Sequence, residues 1–487
     1  MISDRQFRTP LFDALVSLAE SRKVSFHTPG HKSGKGISTR FKKFVGPKIF
    51  SIDLTTLDEV DCLQKPTGVI KEAQELAAEA YGADHSFFLI NGSTVGNHAM
   101  VLAACSPQDE VLVARNTHKS ILTGIILAGA RPHFFLPAWD PDLGIPLNVT
   151  PEAVNSALEN HPQAKALILT SPNYYGVTAD LEAIFKATRQ RGLLLLVDEA
   201  HGPHLNFHPD LPPPALRMGA DLCVQSTHKI VGGMTQSSMM HLKGNRIDLA
   251  RLQGALQLMQ STSPSYVLMA SLDLARMQMA TEGRKLLEKA IHLAEEARDQ
   301  IRGMGGMSCF GRSEIRARGS FDLDVTKLTI STRGLDLTGF QASALLNGES
   351  DVQVEMADLS NVLVIVSIGD RKDDLSRLIR GLERIAQSHP PGRGRSLEVT
   401  FPPLGASLHL SPREAYFAPY RYVSLKEAAG EISSDVITIY PPGIPLLVPG
   451  EPISREIVDY LAIMGSKGAR VDGLKEGSTP QIRVVAG

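Results

Sequence analysis

The sequence predicts an α/β fold: a mostly parallel sheet covered by helices, followed by a smaller α+β unit. Three observations predict it. Between about 85 and 245, short apolar runs alternate with helix-like stretches. The runs are nearly continuous in Val, Ile, Leu and Phe, as strands buried on both faces require. Polar and special-geometry residues follow them, at the C-terminal strand ends where open α/β sheets bind ligands.

The strand candidates, in order, are SFFLI (86–90), EVLVA (110–114), RPHFFL (131–136), AKALILT (164–170), LLLLVD (193–198) and DLCVQS (221–226). Helical candidates such as VGNHAMVLAACS and TADLEAIFKATRQRG lie between them. From about 247 to 302 the chain is helix-rich, and LEKAIHLAEEARDQIRGMGG ends in a glycine cluster that reads as a boundary. FDLDVTKLTIST (321–332), VQVEMAD, VLVIVSIG (362–369) and a helix over about 371–387 then form the smaller unit. HPPGRGRS (389–396) reads as a linker, and YPPGIPLLVPGE (440–451) belongs to a C-terminal piece. The expected organisation is an N-terminal arm at 1–45, a large domain at 46–305, a small α+β domain at 306–390 and a C-terminal domain at 391–487.

The chain has 487 residues, more than one hydrophobic core usually spans. Its 43% hydrophobic and 21% charged residues suit a soluble globular protein. A net charge of -2 gives no footprint for a nucleic-acid partner. The start, MISDRQFRTP, lacks an apolar signal region, and no apolar run reaches the ~18 residues of a membrane span. Cys62, Cys105, Cys223 and Cys309 are far apart, without a CxxC pair, which argues against a disulfide framework. These features predict a cytoplasmic, soluble, multi-domain protein with no membrane partner.

Two nucleotide readings fail on their motifs. DEAH (198–201) needs a Walker A loop upstream, and GHKSGKG (30–36) has the wrong spacing. No strand is followed by GxGxxG. The strand-end residues fit a different ligand. In NGST, Gly92, Ser93 and Thr94 open a helix whose free N–H groups favour a phosphate, although taken alone a plain helix cap through Ser93 or Thr94 is the favoured reading. Asp198 closes a run of five apolar residues, where a carboxylate needs a partner. His118 closes another strand, and Lys229 ends QSTHK. Singly, each has an ordinary structural role. Jointly they match pyridoxal phosphate, which needs a lysine for its Schiff base, an acid for its pyridine nitrogen and donors for its phosphate. Ser226, Thr227 and His228 would hold that phosphate near Lys229, and Gly232–Gly233 would leave room for the cofactor.

The motifs FHTPGHKSG (26–34), INGSTVGNHAM (90–100), RNTHKS (115–120), DEAHGPH (198–204), QSTHK (225–229), TSPSYVLMASLD (262–273) and YPPGIPLLVPGE carry a family resemblance over nearly the whole chain. The sequence resembles the Orn/Lys/Arg decarboxylases, pyridoxal-phosphate enzymes of fold type I. The resemblance implies a seven-stranded, mostly parallel sheet in the large domain. Because the chain starts close to HTPGHK, it also implies the short form without an extra N-terminal domain. It implies Lys229 as the Schiff-base lysine, Asp198 as the pyridinium partner, and His118 stacked on the ring. Gly92, Ser93, Thr94, Ser226 and His228 would bind phosphate, and His201 would lie near the ring hydroxyl. Fold type I enzymes are usually homodimers, so Thr262 and Ser263 would reach a neighbouring subunit's site.

The implied reaction is decarboxylation of a basic amino acid in polyamine synthesis, with arginine ahead of lysine and ornithine. The substrate's basic group needs an acid. Glu355 leads the candidates, with Asp53, Asp58, Asp435 and Glu451 behind it, while His27 in HTPGHK would line the entrance. No metal is assigned, since His201, His204 and His208 lack a carboxylate or thiolate companion. The alternatives are an aminotransferase or aldolase on the same fold, and a silent relative that only binds.

Overall fold

The computed structural model describes residues 3–21, 23–389, 391–392, 407–440, 444–475, 477 and 480–486. Most of the expected linker at 389–396, and residues 441–443 of the 440–451 motif, lie outside the described residues. The chain divides into two compact units: Met1–Ala103 with Glu199–Leu287, and Ala104–Asp198 with Glu288–Gly487.

The first unit is built on three antiparallel strands, with Ser238–Leu242 between His85–Leu89 and Leu222–Gln225. Met240 sits opposite both Phe87 and Val224. The strand Ser238–Leu242 is absent from the expected set; it runs antiparallel to both neighbours, which therefore run the same way as each other, in keeping with the mostly parallel sheet expected. SMMHL is too short and too polar at its ends to stand out as an apolar run, yet all five residues are buried. Leu11, Leu15, Ile70, Phe88, Tyr266 and Met269 fill the core. The N-terminal helix Pro10–Glu20 joins that core and is tied by Asp273, whose Oδ2 accepts from the Leu11 N–H at 3.0 Å.

His241 is fully buried in the new strand. Its Nδ1 lies 2.7 Å from Ser86 Oγ, its Nε2 lies 3.2 Å from Gln225 Oε1, and its ring stacks on Tyr81 at 4.3 Å. Burial pushes its pKa from 6.5 down to about 3. The folded protein therefore refuses a proton that the unfolded chain accepts below pH 6.5. The stability this contributes is complete above that pH and is lost as pH falls towards 3, by up to about 5 kcal/mol. We expect the wild-type melting temperature to fall more steeply between pH 6.5 and 4 than that of His241→Gln; parallel profiles would contradict this.

The second unit contains four parallel strands in the order Leu194–Asp198, Ala166–Thr170, Glu110–Ala114 and Arg131–Phe135. Parallel strands need crossover connections, and helices Lys119–Ala128, Pro151–Asn160 and Leu181–Gln190 provide them. Thr150 and Asp180 cap the latter two through their side-chain oxygens. A four-stranded antiparallel sheet follows, in the order Ser308–Cys309, Lys327–Ser331, Asn361–Ile365 and Met356–Ala357. The expected strand at 321–332 is broken: Asp322–Leu323 pairs with Val177–Thr178, and only Lys327–Ser331 enters this sheet. Thr326 N–H donates to Asp324 Oδ1 at 3.0 Å, which turns the chain between the two pieces. Near the C-terminus, Ile437, Leu447, Val458, Leu461 and Ile482 form a separate small core. All four cysteines are free, with Cys62 half-buried and the others buried.

Candidate active site

In the first unit, the strand His85–Leu89 leads into the 13-residue helix Gly92–Ala104. Gly92 makes the turn at a φ of +75°, which favours glycine, and nothing lies within 4 Å of where its Cβ would be. The first N–H groups of this helix have no intrahelical acceptor and favour an anion. Ser93 is half-buried there and Thr94 exposed. The strand Leu222–Gln225 delivers buried Ser226, whose hydroxyl donates to Ser93 Oγ at 2.8 Å. Two strand ends thus place two hydroxyls together at one helix start.

Beyond Ser226 the chain makes a single helical turn, Thr227–Ile230, which carries Lys229. Lys229 Nζ lies 2.9 Å from Nε2 of buried His201. Thr227 Oγ1 is buried without a hydrogen-bond partner among the described residues. His228 Nδ1 lies 2.9 Å from the Ser237 carbonyl, which can only accept, so Nδ1 carries a proton. Its Nε2 can then donate to a phosphate only in the imidazolium form. Gly232 and Gly233, expected to leave cofactor room, also pack against the chain's own side chains. A Cβ on Gly233 would come within 2.5 Å of Ser237 Oγ, and one on Gly232 within 2.9 Å of Gln278 Oε1.

Sequence reasoning missed Glu199. It is buried, its Oε1 accepts from Ala215 N–H and its Oε2 from Gln225 Nε2, both at 2.7 Å. Its N–H donates to the Val224 carbonyl at 2.9 Å. These bonds pin the DEAH turn to the strand before Lys229, which sets His201 against the lysine. The signal was there, since an acid beside Asp198 among apolar residues needs partners. Gln260 similarly ties TSPSY to the other strand end: its Oε1 accepts from Ile90 N–H at 3.0 Å and its Nε2 donates to the Phe88 carbonyl. Thr262 and Ser263, just beyond it, are exposed.

Gly96 sets how closely this helix packs. A Cβ there would fall 2.6 Å from Val224 Cγ1 and 2.7 Å from Leu89 Cδ1. Gly96→Val should push the helix off the strands at a cost of about 1–3 kcal/mol, with weaker cofactor retention. Melting temperature and cofactor affinity check this; unchanged values in both would contradict the packing argument.

In the second unit, Asp198 ends its strand with 2% of its surface exposed. His118 caps the helix Lys119–Ala128, its Nδ1 accepting from Ser120 N–H at 3.2 Å and lying 2.8 Å from Ser120 Oγ. A backbone N–H only donates, so neutral His118 carries its proton on Nε2. Glu451, one candidate reader of the substrate, is already committed. Its Oε2 pairs with Arg115 Nη2 at 3.0 Å and accepts from Val448 N–H at 2.9 Å. Burial pushes the Glu451 carboxyl up, against the pull of Arg115. Arg115 also donates to the Pro445 and Leu446 carbonyls. Asp435 likewise faces Arg483, at 3.3 Å. Glu355 is exposed, as is Asp58. Asp53 pairs with His31 at 3.0 Å, and His27 Nδ1 lies 2.5 Å from the Thr28 carbonyl. Neither Asp53 nor His27 joins the Ser93–Ser226–Lys229 cluster by a hydrogen bond among the described residues. His201, His204 and His208 do not converge as a ligand set.

The model of the Orn/Lys/Arg decarboxylase major domain matches residues 9–374, and that of the family's C-terminal domain matches 406–477. The chain belongs to the Orn/Lys/Arg decarboxylase family. It is 40% identical to the arginine decarboxylase of Bacillus subtilis over 99% of this chain and 98% of that one. Identity to a lysine decarboxylase of Pseudomonas aeruginosa is 28%, over 93% of this chain and 75% of that one. The solved lysine decarboxylase A from Pseudomonas aeruginosa superposes with a TM-score of 0.85 at 25% identity, covering 99% and 81% of the two chains. Family membership makes this an enzyme of pyridoxal-phosphate fold type I and implies that cofactor. The first unit fits such a group: a helix start and paired hydroxyls suit its phosphate, and a lysine beside a buried imidazole suits its aldehyde carbon. Among the described residues no helix is long and apolar enough to cross a membrane.

Proposed function

We propose that this protein is a pyridoxal-phosphate-dependent arginine decarboxylase, releasing carbon dioxide and agmatine. The observation that supports arginine over lysine is the 40% identity to arginine decarboxylases along the whole chain, against 28% to a lysine enzyme. Bound pyridoxal phosphate supplies an electron sink for the pair left when the substrate's carboxylate departs.

This chain's own residues do the rest. Lys229 carries the cofactor, and Ser93, Thr94, Ser226, His228 and the N–H groups after Gly92 hold its phosphate. Asp198, buried at its strand end, keeps a proton on the ring nitrogen through a charge-assisted hydrogen bond. His118 is oriented by its cap on Ser120 and presents an Nε2 proton. His118 or Lys229, the latter with its Nζ 2.9 Å from His201 Nε2, returns a proton to the substrate's Cα. Glu355 and Asp53 remain the candidate readers of the guanidinium, and His27 lines the entrance.

We also propose self-association, with Thr262 and Ser263 serving a neighbouring subunit. Val24, Phe26, Phe44 and Leu258, all in the first unit, expose 74%, 92%, 89% and 77% of their surface, which a second copy would cover. The test of the activity is carbon dioxide release from arginine, lysine and ornithine in parallel, with the purified cofactor-loaded protein. Arginine should be turned over fastest. Faster release from lysine or ornithine would overturn the substrate, and release from none would overturn the reaction.

A further inference from the structure

The second unit holds a group that decarboxylation does not use. Glu110 and His133 stand at the N-terminal half of neighbouring parallel strands, with Glu110 level with Arg131 and Leu112 level with His133. His161 caps the end of the helix Pro151–Asn160, in the turn that feeds the strand Ala166–Thr170. That turn is fixed: Ala164 N–H donates to the His161 carbonyl at 3.2 Å, and Lys165 N–H to the Glu110 carbonyl at 2.9 Å. His133 Nε2 lies 3.3 Å from Glu110 Oε2, and the His133 and His161 rings stack at 3.7 Å. One ligand atom from each residue lies within 4.8 Å of the others, and no other such trio exists among the described residues.

We propose that Glu110, His133 and His161 form a divalent transition-metal site. Two imidazole nitrogens and one carboxylate oxygen suit Zn2+, Co2+ or Ni2+, whereas Mg2+ and Ca2+ prefer oxygen ligands throughout. Bond lengths of about 2.0–2.1 Å would draw the three atoms inward and leave a position for water. All three residues are half-buried, so an ion can enter and small ring rotations are open to them. Arg131 opposes a cation here by its charge, which makes the site depend on nitrogen lone pairs more than on net attraction. The group belongs to the N-terminal half of its strands, and His118 and Asp198 to the C-terminal ends. Metal there would clip a helix end to two strands and leave turnover unchanged.

The test is isothermal titration of the cofactor-loaded enzyme with Zn2+, comparing wild type with His161→Ala and Glu110→Gln. Both variants keep the strands, and their decarboxylase activity reports correct folding. We expect one Zn2+ per wild-type chain that each variant loses, with a metal-dependent rise in melting temperature that disappears with it. Co2+ should give a visible absorption band in wild type only. Equal stoichiometry and affinity in wild type and variants, or no saturable binding in wild type, would overturn the site.

Discussion

Lys229→Ala should abolish turnover, with a fall of at least about a thousandfold, because the proposed roles of the residue are both cofactor anchor and proton carrier. The same variant should lose the visible absorption of the cofactor–lysine bond while keeping its melting temperature. Its side chain ends beside His201 in an otherwise polar strand-end cluster, so truncation opens no apolar cavity. A steady-state assay with a spectrum of the purified variant checks both effects. Turnover near the wild-type rate would remove Lys229 from the mechanism. A spectrum unchanged from wild type would place the cofactor on another lysine.

The second large effect is on stability. Arg115 and Glu451 have side chains only 1% and 4% exposed and share an ion pair at 3.0 Å. Phe134 lies beneath the guanidinium, 5.2 Å from ring centre to Cζ. Removing one member leaves the other charge buried and unpaired, at a cost of about 3–5 kcal/mol. Glu451→Leu and Arg115→Met should therefore each lower the melting temperature sharply, and the double variant should lose less than the two losses added. Arg115 opens the RNTHKS segment that carries His118, so the single variants should also lower kcat more than they raise KM. Additive losses in the double variant would show that the pair is not coupled.

The parts of the fold legible in the sequence were those where one signal sufficed. Parallel strands such as Ala166–Thr170 and Leu194–Asp198 are apolar up to their last residue, and the helix between them carries its own cap. The strand Ser238–Leu242 was illegible because one of its buried polar residues, His241, is satisfied by Ser86 and Gln225, which are distant in sequence. Ser93 and Ser226 were both legible as strand-end hydroxyls; their bond to each other, across 133 residues, was not. Glu451 misled for the same reason. An acid at a chain position says nothing about whether Arg115, 336 residues away, already holds it.

Lys229 is the single lysine proposed to carry the cofactor. The most direct measurement is borohydride reduction of the cofactor-loaded protein, followed by peptide mass mapping. One modified peptide is expected, spanning 218–229 and reading on past Lys229 because the modified lysine resists tryptic cleavage. Modification at a different lysine, or none in a protein that decarboxylates arginine, would contradict it.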